Sequence, residues 1–482
     1  MQPAPWNMIV LTDLGADHDG RIAVDPGAPG DWLGRLDARV AVKPRAASHA
    51  AAAWELRLSG REAFEARAIV ERLPHADATT GAPAELLDAV LQNGDFRRIE
   101  SAYRGISLIG EHGADALAVE VISVARRALS ERFRDRVYQP ALDGEIASPT
   151  AVLLDFDFSH QATDLALLQE LAAMAAEIPC PIVAAASPAL FGMRYWAHVA
   201  GIAELASPWM DAGHALWREF QASESARWVA LTMNRYLQRA PVEVEGLGYR
   251  EPVDEARPET FLWGRGIWLV GAALARSIRA HGHALDLAGR GGMFTGLPSR
   301  SYPHMGEPVA LAAETPLPEM KASEVAWAGL TPVVGVLRQD AVVLPMVVTL
   351  FRLKPGRLTI EGTLAYQITA ARIAQSLNEI LGQMPRERND APGFLQAQLT
   401  EALGVLLEGD PSETLQIGWS KGEASTTEEA ATGMTGSARD AGTPSAVSSP
   451  ELLEIRVRPA RPLEGKQAEF VYRLPWRGAP EA

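Results

Sequence analysis

The most constraining feature of this sequence is the segment 151–186, which reads as a strand, a helix and a second strand in close succession. Residues 151–156 are apolar except for Asp155, and residues 181–186 form a second apolar run. Between them, residues 164–175 place leucines three or four positions apart, which is the spacing of one helix face. Because parallel strands need a helical crossover, the segment predicts a right-handed crossover and an α/β core with a parallel or mixed sheet.

The first 92 residues predict a small α/β unit of their own. Short apolar runs, alternating patterns and helical spacings follow one another in this region. We predict strands at residues 8–11, 22–24 and 54–58, and helices at residues 32–36 and 62–70. The small and polar stretch 75–83 marks a loose boundary after this unit.

Further helices and strands are predicted beyond this boundary. In the helical segments, apolar side chains recur every three or four positions. The predicted helices span residues 84–91, 95–106, 262–280 and 364–381, and apolar strands are predicted at residues 333–337 and 341–350.

The composition changes near residue 420, after which Ser, Thr, Ala, Gly and Glu dominate. Such a segment buries too little apolar surface to offset chain entropy, so residues 419–450 are predicted to be a flexible linker. Apolar and polar residues then alternate over 453–457 and again over 470–474, which predicts a strand pair within 451–482. A lone hairpin is marginally stable in water, so the pair must join a larger sheet, either its own or that of a neighbouring molecule.

The charge balance and the cysteine content exclude several classes of protein. There are 45 Lys and Arg residues against 60 Asp and Glu residues, and the net charge of −15 argues against a nucleic-acid binder. Cys180 is the only cysteine, so neither an intrachain disulfide nor a thiolate metal cluster can form. The N-terminus lacks the pattern of a signal peptide, and the longest apolar stretches fall short of the roughly 20 residues of a bilayer crossing. We therefore expect a cytoplasmic protein without a membrane span.

The most metal-like cluster consists of Asp155, Asp157, His160 and Asp164, because these oxygen and imidazole donors follow one strand closely. A structural explanation competes with this one, since Asp164 would also favour the positive N-terminal end of the next helix. The glycine-rich runs lack the spacing of nucleotide-binding loops, and neither a G-x-S-x-G nor an H-E-x-x-H motif occurs. The structural explanation is favoured, so catalytic residues, metals and cofactors are not predicted. The alternative is a metal-dependent α/β enzyme that uses this cluster.

Residues 95–106 resemble the F-x-x-L-E-x-x-W-R-G-L signature of the large sheath subunit of bacterial type VI secretion systems. Tyr103 stands where that family has Trp, and Ile99 and Ile106 replace Leu. Six further stretches are similar to the family in the same order. They are residues 154–164, 184–192, 217–231, 236–241, 261–264 and 289–298. The resemblance implies a contractile-sheath fold, like that of phage tail sheaths.

Residues 1–92 resemble a trimmed small sheath subunit. Residues 8–14 are similar to a strand of that family that ends in D-F-S or D-F-L, and residues 61–74 to its DFEPEAVVRQVP stretch. The resemblance implies that both sheath halves are fused in one chain. The predicted organisation is a small-subunit-like α/β region at 1–92, a large-subunit-like α/β core at 93–418, the linker at 419–450 and a C-terminal strand pair at 451–482.

The resemblance implies a structural protein rather than an enzyme. Copies of the chain would stack in a six-start helix around an inner tube of ring-shaped protein, on a baseplate, and contraction would drive the tube outward. Whether a separate small sheath subunit also joins the assembly is left open. Binding to nucleic acid and insertion into a membrane are not expected. Large-subunit relatives also carry an N-terminal helix that is recognised by the unfoldase that disassembles the sheath for reuse. No such helix is found in this sequence, so recycling by that unfoldase stays an open question.

The C-terminal strands are the predicted contacts between subunits. A strand that pairs with the sheet of a neighbouring subunit forms directional backbone hydrogen bonds with it. A heterologous contact between subunits that does not close into a ring builds an open helical polymer. The candidate residues are Leu453, Ile455, Val457, Phe470, Tyr472 and Leu474.

Overall fold

The structure, a computed structural model, describes residues 5–15, 18, 20–25, 28, 31–43, 54–73, 82–205, 209, 211–352, 358–385, 387, 389–408, 410–421 and 451–475. Their contacts divide the chain into two compact units. The larger unit lies within residues 4–375 and includes residues 463–466, and the smaller unit lies within residues 376–462 and 467–482. No helix among the described residues has the length and apolarity that a membrane crossing needs.

The secondary structure alternates strands and helices along most of the chain. The strands are β1 (Asn7–Thr12), β2 (Ile22–Val24), β3 (Ala38–Val42), β4 (Trp54–Leu58), β5 (Ala118–Ser123), β6 (Ala151–Phe158), β7 (Ile182–Ala186), β8 (Val229–Met233), β9 (Arg235–Leu237), β10 (Glu243–Val244), β11 (Tyr249–Arg250), β12 (Trp263–Arg265), β13 (Met293–Thr295), β14 (Arg300–His304), β15 (Glu307–Leu311), β16 (Leu330–Pro332), β17 (Val334–Gly335), β18 (Ala341–Val343), β19 (Leu415–Lys421), β20 (Glu451–Val457) and β21 (Phe470–Pro475). The α-helices are α1 (Ala66–Glu71), α2 (Pro83–Leu91), α3 (Gly94–Gly113), α4 (Leu129–Phe133), α5 (Gln139–Leu142), α6 (Ala162–Glu177), α7 (Trp196–Val199), α8 (Ala215–Ala222), α9 (Gly266–His281), α10 (Glu319–Trp327), α11 (Leu364–Leu381), α12 (Ala391–Leu403) and α13 (Pro411–Thr414).

The larger unit is built on a seven-stranded sheet with the order β16-β8-β7-β6-β1-β5-β2. Neighbouring strands run parallel, except that the edge strand β2 is antiparallel to β5. The predicted strand, helix and strand within residues 151–186 are β6, α6 and β7, and the two strands pair in parallel. The prediction of an α/β core with a parallel or mixed sheet is therefore confirmed.

Strand β1 shows that the sheet is covered on both faces. Met8 and Val10 belong to the apolar core that contains residues of α3 and α9, whereas Ile9 and Leu11 belong to a second core that contains residues of α6. All four side chains are fully buried. Because successive side chains of a strand point to opposite faces, helices lie on both sides of the sheet. Double coverage also explains why these strands read as continuous apolar runs.

The smaller unit contains an antiparallel sheet with the order β19-β20-β21. β20 lies in the middle, with Val457 opposite both Leu415 of β19 and Phe470 of β21. Helix α12 packs against β19 through a face on which Leu395 and Leu399 are buried. The predicted C-terminal strands are thus present, and β19 joins them as a third strand.

Several predicted boundaries differ from the structure. The helix predicted over 262–280 begins at Gly266, because Trp263–Arg265 pairs with β9 as β12. The apolar run 341–350 is a strand only at Ala341–Val343. β19 extends to Lys421 and so enters the predicted linker, whose residues 422–450 lie outside the described residues. The division into four regions stays a prediction.

Candidate assembly surfaces

Buried ion pairs fix the helix that carries the signature, α3. Glu100 is fully buried, and its Oε1 accepts hydrogen bonds of 2.9 Å from Nε of Arg104 and from Nε of Arg239. Arg239 Nη2 also donates to Glu251 at 3.1 Å. Burial alone would lower the pKa of Arg239, but the two glutamates outweigh it and raise that pKa. Glu100 and Arg104, the Glu and Arg of the signature, therefore form an ion pair within the chain, and Glu100 also balances the charge of Arg239.

The glycine of the signature allows α3 and α9 to pack closely. A Cβ atom on Gly105 would lie 2.1 Å from Cδ2 of Trp268, which is a fully buried residue of α9. Gly271 of α9 has the same role, since its Cβ would lie 2.8 Å from side-chain atoms of Ile109 and Leu153. Both positions exclude any larger residue unless the neighbouring side chains move.

Tyr103 occupies the position where the signature has Trp. Its ring lies 4.8 Å from the ring of Phe64 and stacks on Trp32 at 6.3 Å. The aromatic character of the position is thus used for packing against residues within 1–92. Together with Glu100 and Gly105, this contact shows that the signature specifies how α3 packs.

One arginine binds both aspartates at the end of β6. Nη1 of Arg265 donates to Asp155 at 2.8 Å, and its Nε and Nη2 donate to Asp157 at 2.9 and 2.8 Å. Thr12 Oγ1 donates to the other oxygen of Asp155 at 2.8 Å. Burial raises the pKa of Asp155, although Arg265 opposes this shift. Arg265 lies more than a hundred residues from both aspartates, and no sequence motif links it to them.

The other two members of the predicted cluster have different partners. Asp164 accepts hydrogen bonds from N and Oγ of Ser159 at 2.9 and 2.7 Å, and it pairs with Arg126 at 2.5 Å. His160 instead lies against His214, with the ring centroids 4.1 Å apart. Asp155 and Asp157 share Arg265, whereas Asp164 and His160 have other partners. In the described part of the chain no group of three or more His, Cys, Asp or Glu residues could hold a metal. The arrangement agrees with the structural explanation and gives no support to the enzyme alternative.

The predicted intersubunit residues form cross-strand pairs in the sheet of the smaller unit. The pairs are Leu453 with Leu474, Ile455 with Tyr472 and Val457 with Phe470. Directly opposite residues point to the same face of a sheet. The three residues of β20 are buried, as is Phe470, whereas Tyr472 and Leu474 are half-buried. In this structure the six residues therefore contact their own chain.

The strands β19 and β21 are the edges of this sheet, and each is paired on one side with β20. On β21, Val471 is 42% exposed. Arg473 and Arg456 donate to Glu454 at 2.9 and 2.7 Å, and these hydrogen bonds lower the pKa of Glu454. An edge strand presents backbone N–H and C=O groups to which a further strand can pair.

Comparison with known families identifies the chain. The model of the VipB family, described as EvpB/VC_A0108, tail sheath N-terminal domain, matches residues 82–349, which is more than half of the sequence. The chain belongs to the VipB tail sheath family. This membership confirms the resemblance to the large sheath subunit. The VipB match includes α3 and most of the seven-stranded sheet, whereas the likeness of residues 1–92 to a small sheath subunit stays a prediction.

One curated protein and two solved structures are similar to this VipB-family chain. The type VI secretion system sheath protein TssC1 of Pseudomonas aeruginosa is 25% identical over 271 residues, or 51% of this chain and 54% of that protein. The chain thus spans about half the length of the curated relative it matches. A chain of the anti-feeding prophage baseplate has a TM-score of 0.43 at 12% identity, covering 99% of this chain and 93% of that chain. The sheath tail protein Lin1278 from Listeria innocua has a TM-score of 0.38 at 9% identity, covering 98% and 96%.

Proposed function

We propose that this chain is a structural protomer of a contractile type VI secretion sheath, which polymerises helically around an inner tube and contracts to propel it. The observation that carries the proposal is the VipB family match over residues 82–349. A relative that shares this similarity is named as a type VI secretion sheath protein. The signature residues of α3 support the proposal, because they serve packing and ion pairing rather than chemistry on a substrate.

A sheath requires a contact between protomers that repeats without closing on itself. A heterologous interface has this property and generates an open helical polymer. Contraction is then a transition between two packings, driven by the interaction free energy gained in the shorter one, and it consumes no nucleotide. The proposed partners are further copies of the chain, the ring protein of an inner tube and a baseplate. The proposed location of this assembly is the cytoplasm. If residues 1–92 take the place of the small sheath subunit, a separate small subunit is not needed.

The junction that we propose between protomers is the sheet of the smaller unit. The outer edges of β19 and β21 can pair with a strand of a neighbour, and the exposed Val471 adds apolar contact there. In this proposal the buried residues of β20 hold the sheet together while its edges receive neighbouring strands. Exchange of β20 and β21 between protomers would use the same six candidate residues and the same sheet.

Proline substitutions on β21 test the junction. Backbone N–H groups alternate in direction along a strand, so Val471 and Tyr472 direct theirs to opposite sides of β21. One of Val471→Pro and Tyr472→Pro removes a donor to β20, and the other removes an outward donor. We expect the inward variant to melt at a lower temperature. The outward variant should melt near the wild type and yield no sheaths in electron micrographs of cells that make the whole machine.

The matched control is Val471→Thr, which keeps both the backbone N–H and a β-branched side chain. It should form hollow striated tubes like the wild type. Normal tubes from both proline variants would contradict the proposed junction.

A further inference from the structure

The hairpin of β14 and β15 carries a bulky apolar residue at its tip. His304 lies opposite Glu307, which leaves Met305 and Gly306 as a two-residue turn. Their φ angles of 53° and 86° are those of a type I′ turn, which favours Asn, Asp or Gly at its first position. Met305 is nevertheless 92% exposed. An unbranched apolar residue in the left-handed region is strained, and here the strain is combined with exposure to water.

Asparagine at this position would adopt the left-handed backbone conformation with little strain and would expose a polar side chain instead of an apolar one. Among the large apolar residues exposed in the described part of the chain, Met305 has the greatest exposure. Local strain that brings no contact within the chain indicates a function elsewhere. We call this residue and its turn the Met305 tip.

The hairpin suits a side-chain contact better than the addition of a strand. Pro303 lies opposite Pro308, and proline has no N–H to offer to another strand. The base of the hairpin is anchored, because Leu311 is fully buried and Arg300 Nη2 donates to the carbonyl oxygen of Glu314 at 2.8 Å. An anchored projection loses little conformational freedom when it binds.

A cavity in the same unit has a partly apolar wall. It has a volume of about 500 Å³, and Phe64, Tyr103, Leu108 and Leu297 are among the residues that line it. The wall also contains five charged residues, namely Asp31, Arg61, Glu65, Arg104 and Glu111. A methionine thioether contacts aromatic rings favourably and adapts to irregular cavities. The Met305 tip does not fill the cavity of its own chain, because Met305 is almost fully exposed. We call this the aromatic cavity.

We propose that the Met305 tip of one protomer inserts into the aromatic cavity of the next protomer. The inference rests on the proposed function, which supplies the second copy. A projection and a cavity at different places on one chain make a heterologous contact, and such a contact propagates instead of closing. It gives the sheath a directional contact that is independent of the smaller unit.

Removal of the tip is the first test. Met305→Asn fits the turn, so its melting temperature should equal or exceed that of the wild type. We expect the number of sheaths in electron micrographs to fall at least several-fold. The matched control is Met320→Asn on α10, where an 86% exposed methionine undergoes the same change and assembly should be unaltered.

Cysteine cross-linking is the decisive test. The only native cysteine, Cys180, is fully buried, and burial raises the pKa of its thiol, so it contributes little background. A chain with both Met305→Cys and Leu108→Cys should give a ladder of covalent multimers on oxidation, whereas each single variant should not.

The outcomes separate this inference from the proposed function. A double variant without a ladder overturns the contact, and the sheath proposal survives if wild-type tubes are present. If the wild-type chain forms no tubes, the sheath proposal fails, and a ladder in that case would still support the contact between copies.

Discussion

Replacing Gly105 by alanine should destabilise the larger unit, although alanine is the better helix former. Gly105 lies in the interior of α3, where alanine is favoured over glycine by about 1 kcal/mol. The opposing effect is steric. The new methyl group would lie 2.1, 2.4 and 2.5 Å from Cδ2, Cγ and Cε2 of Trp268, well inside the roughly 3.5–4.0 Å of an optimal carbon contact.

The magnitude follows from how little Trp268 can move. Its ring is fully buried in the core that joins α3 and α9, so it can give way only by displacing other buried side chains. Overpacking of this kind costs about 1–3 kcal/mol and occasionally more. The three ring atoms must each move by roughly 1–2 Å to reach ordinary contact, which places the cost at or above the upper end of that range. After the gain in helix propensity, we expect a net loss of about 2 kcal/mol.

Urea denaturation followed by circular dichroism measures this loss. The control is Gly94→Ala at the first residue of the same helix, where a Cβ atom would meet nothing within 4 Å. Its stability should change by less than about 0.5 kcal/mol. Gly105→Ala should cost less in a Trp268→Leu background than in the wild type, because the smaller side chain leaves room for the new methyl group. A Gly105→Ala protein as stable as the wild type would refute the explanation of the glycine by close packing.

Two further predictions concern buried charges. Glu100→Gln leaves Arg239 without one of its charged partners, so we expect a loss of about 3 kcal/mol in the urea experiment. Glu71→Gln, on a pair whose glutamate is 69% exposed, should cost less than about 0.5 kcal/mol, and equal effects would contradict the importance of burial. Burial, and then Asp286, raise the pKa of Glu464 from 4.5 to about 8, so stability should fall as the pH rises from 4.5 toward 8, by at most about 1.4 kcal/mol per pH unit. Glu464→Gln should abolish this slope between pH 5 and pH 8, and an unchanged slope would show that the carboxyl is not its source.

Elements that are buried on both faces were predictable from sequence. β6 and β7 are apolar runs because helices cover both sides of the sheet, and α6 repeats its apolar residues at helical spacing. The C-terminal strands β20 and β21 were predictable for a different reason, since one face is buried and their side chains alternate.

Contacts between distant segments were not predictable. Asp155 and Asp157 suggested a metal site because their neighbours in sequence are also donors, whereas their partner Arg265 comes from a distant strand end. β19 was missed because its alternating residues run directly into the low-complexity segment. The clash that makes Gly105 necessary depends on Trp268 of another helix, and single-sequence periodicity carries no information about such a pair.

The central position of β20 has a consequence for the timing of synthesis. Its partner β19 leaves the ribosome first, and residues 422–450 separate the two strands. At about 5–20 residues per second, β19 waits for a few seconds with its backbone unpaired on the side that β20 will occupy. If protomers exchange strands as proposed, a strand from a completed copy would compete for that side during the interval, and its chance of success would rise with the local concentration of finished protein. Under that proposal, slower translation would increase the fraction of newly made chains that pair with older ones.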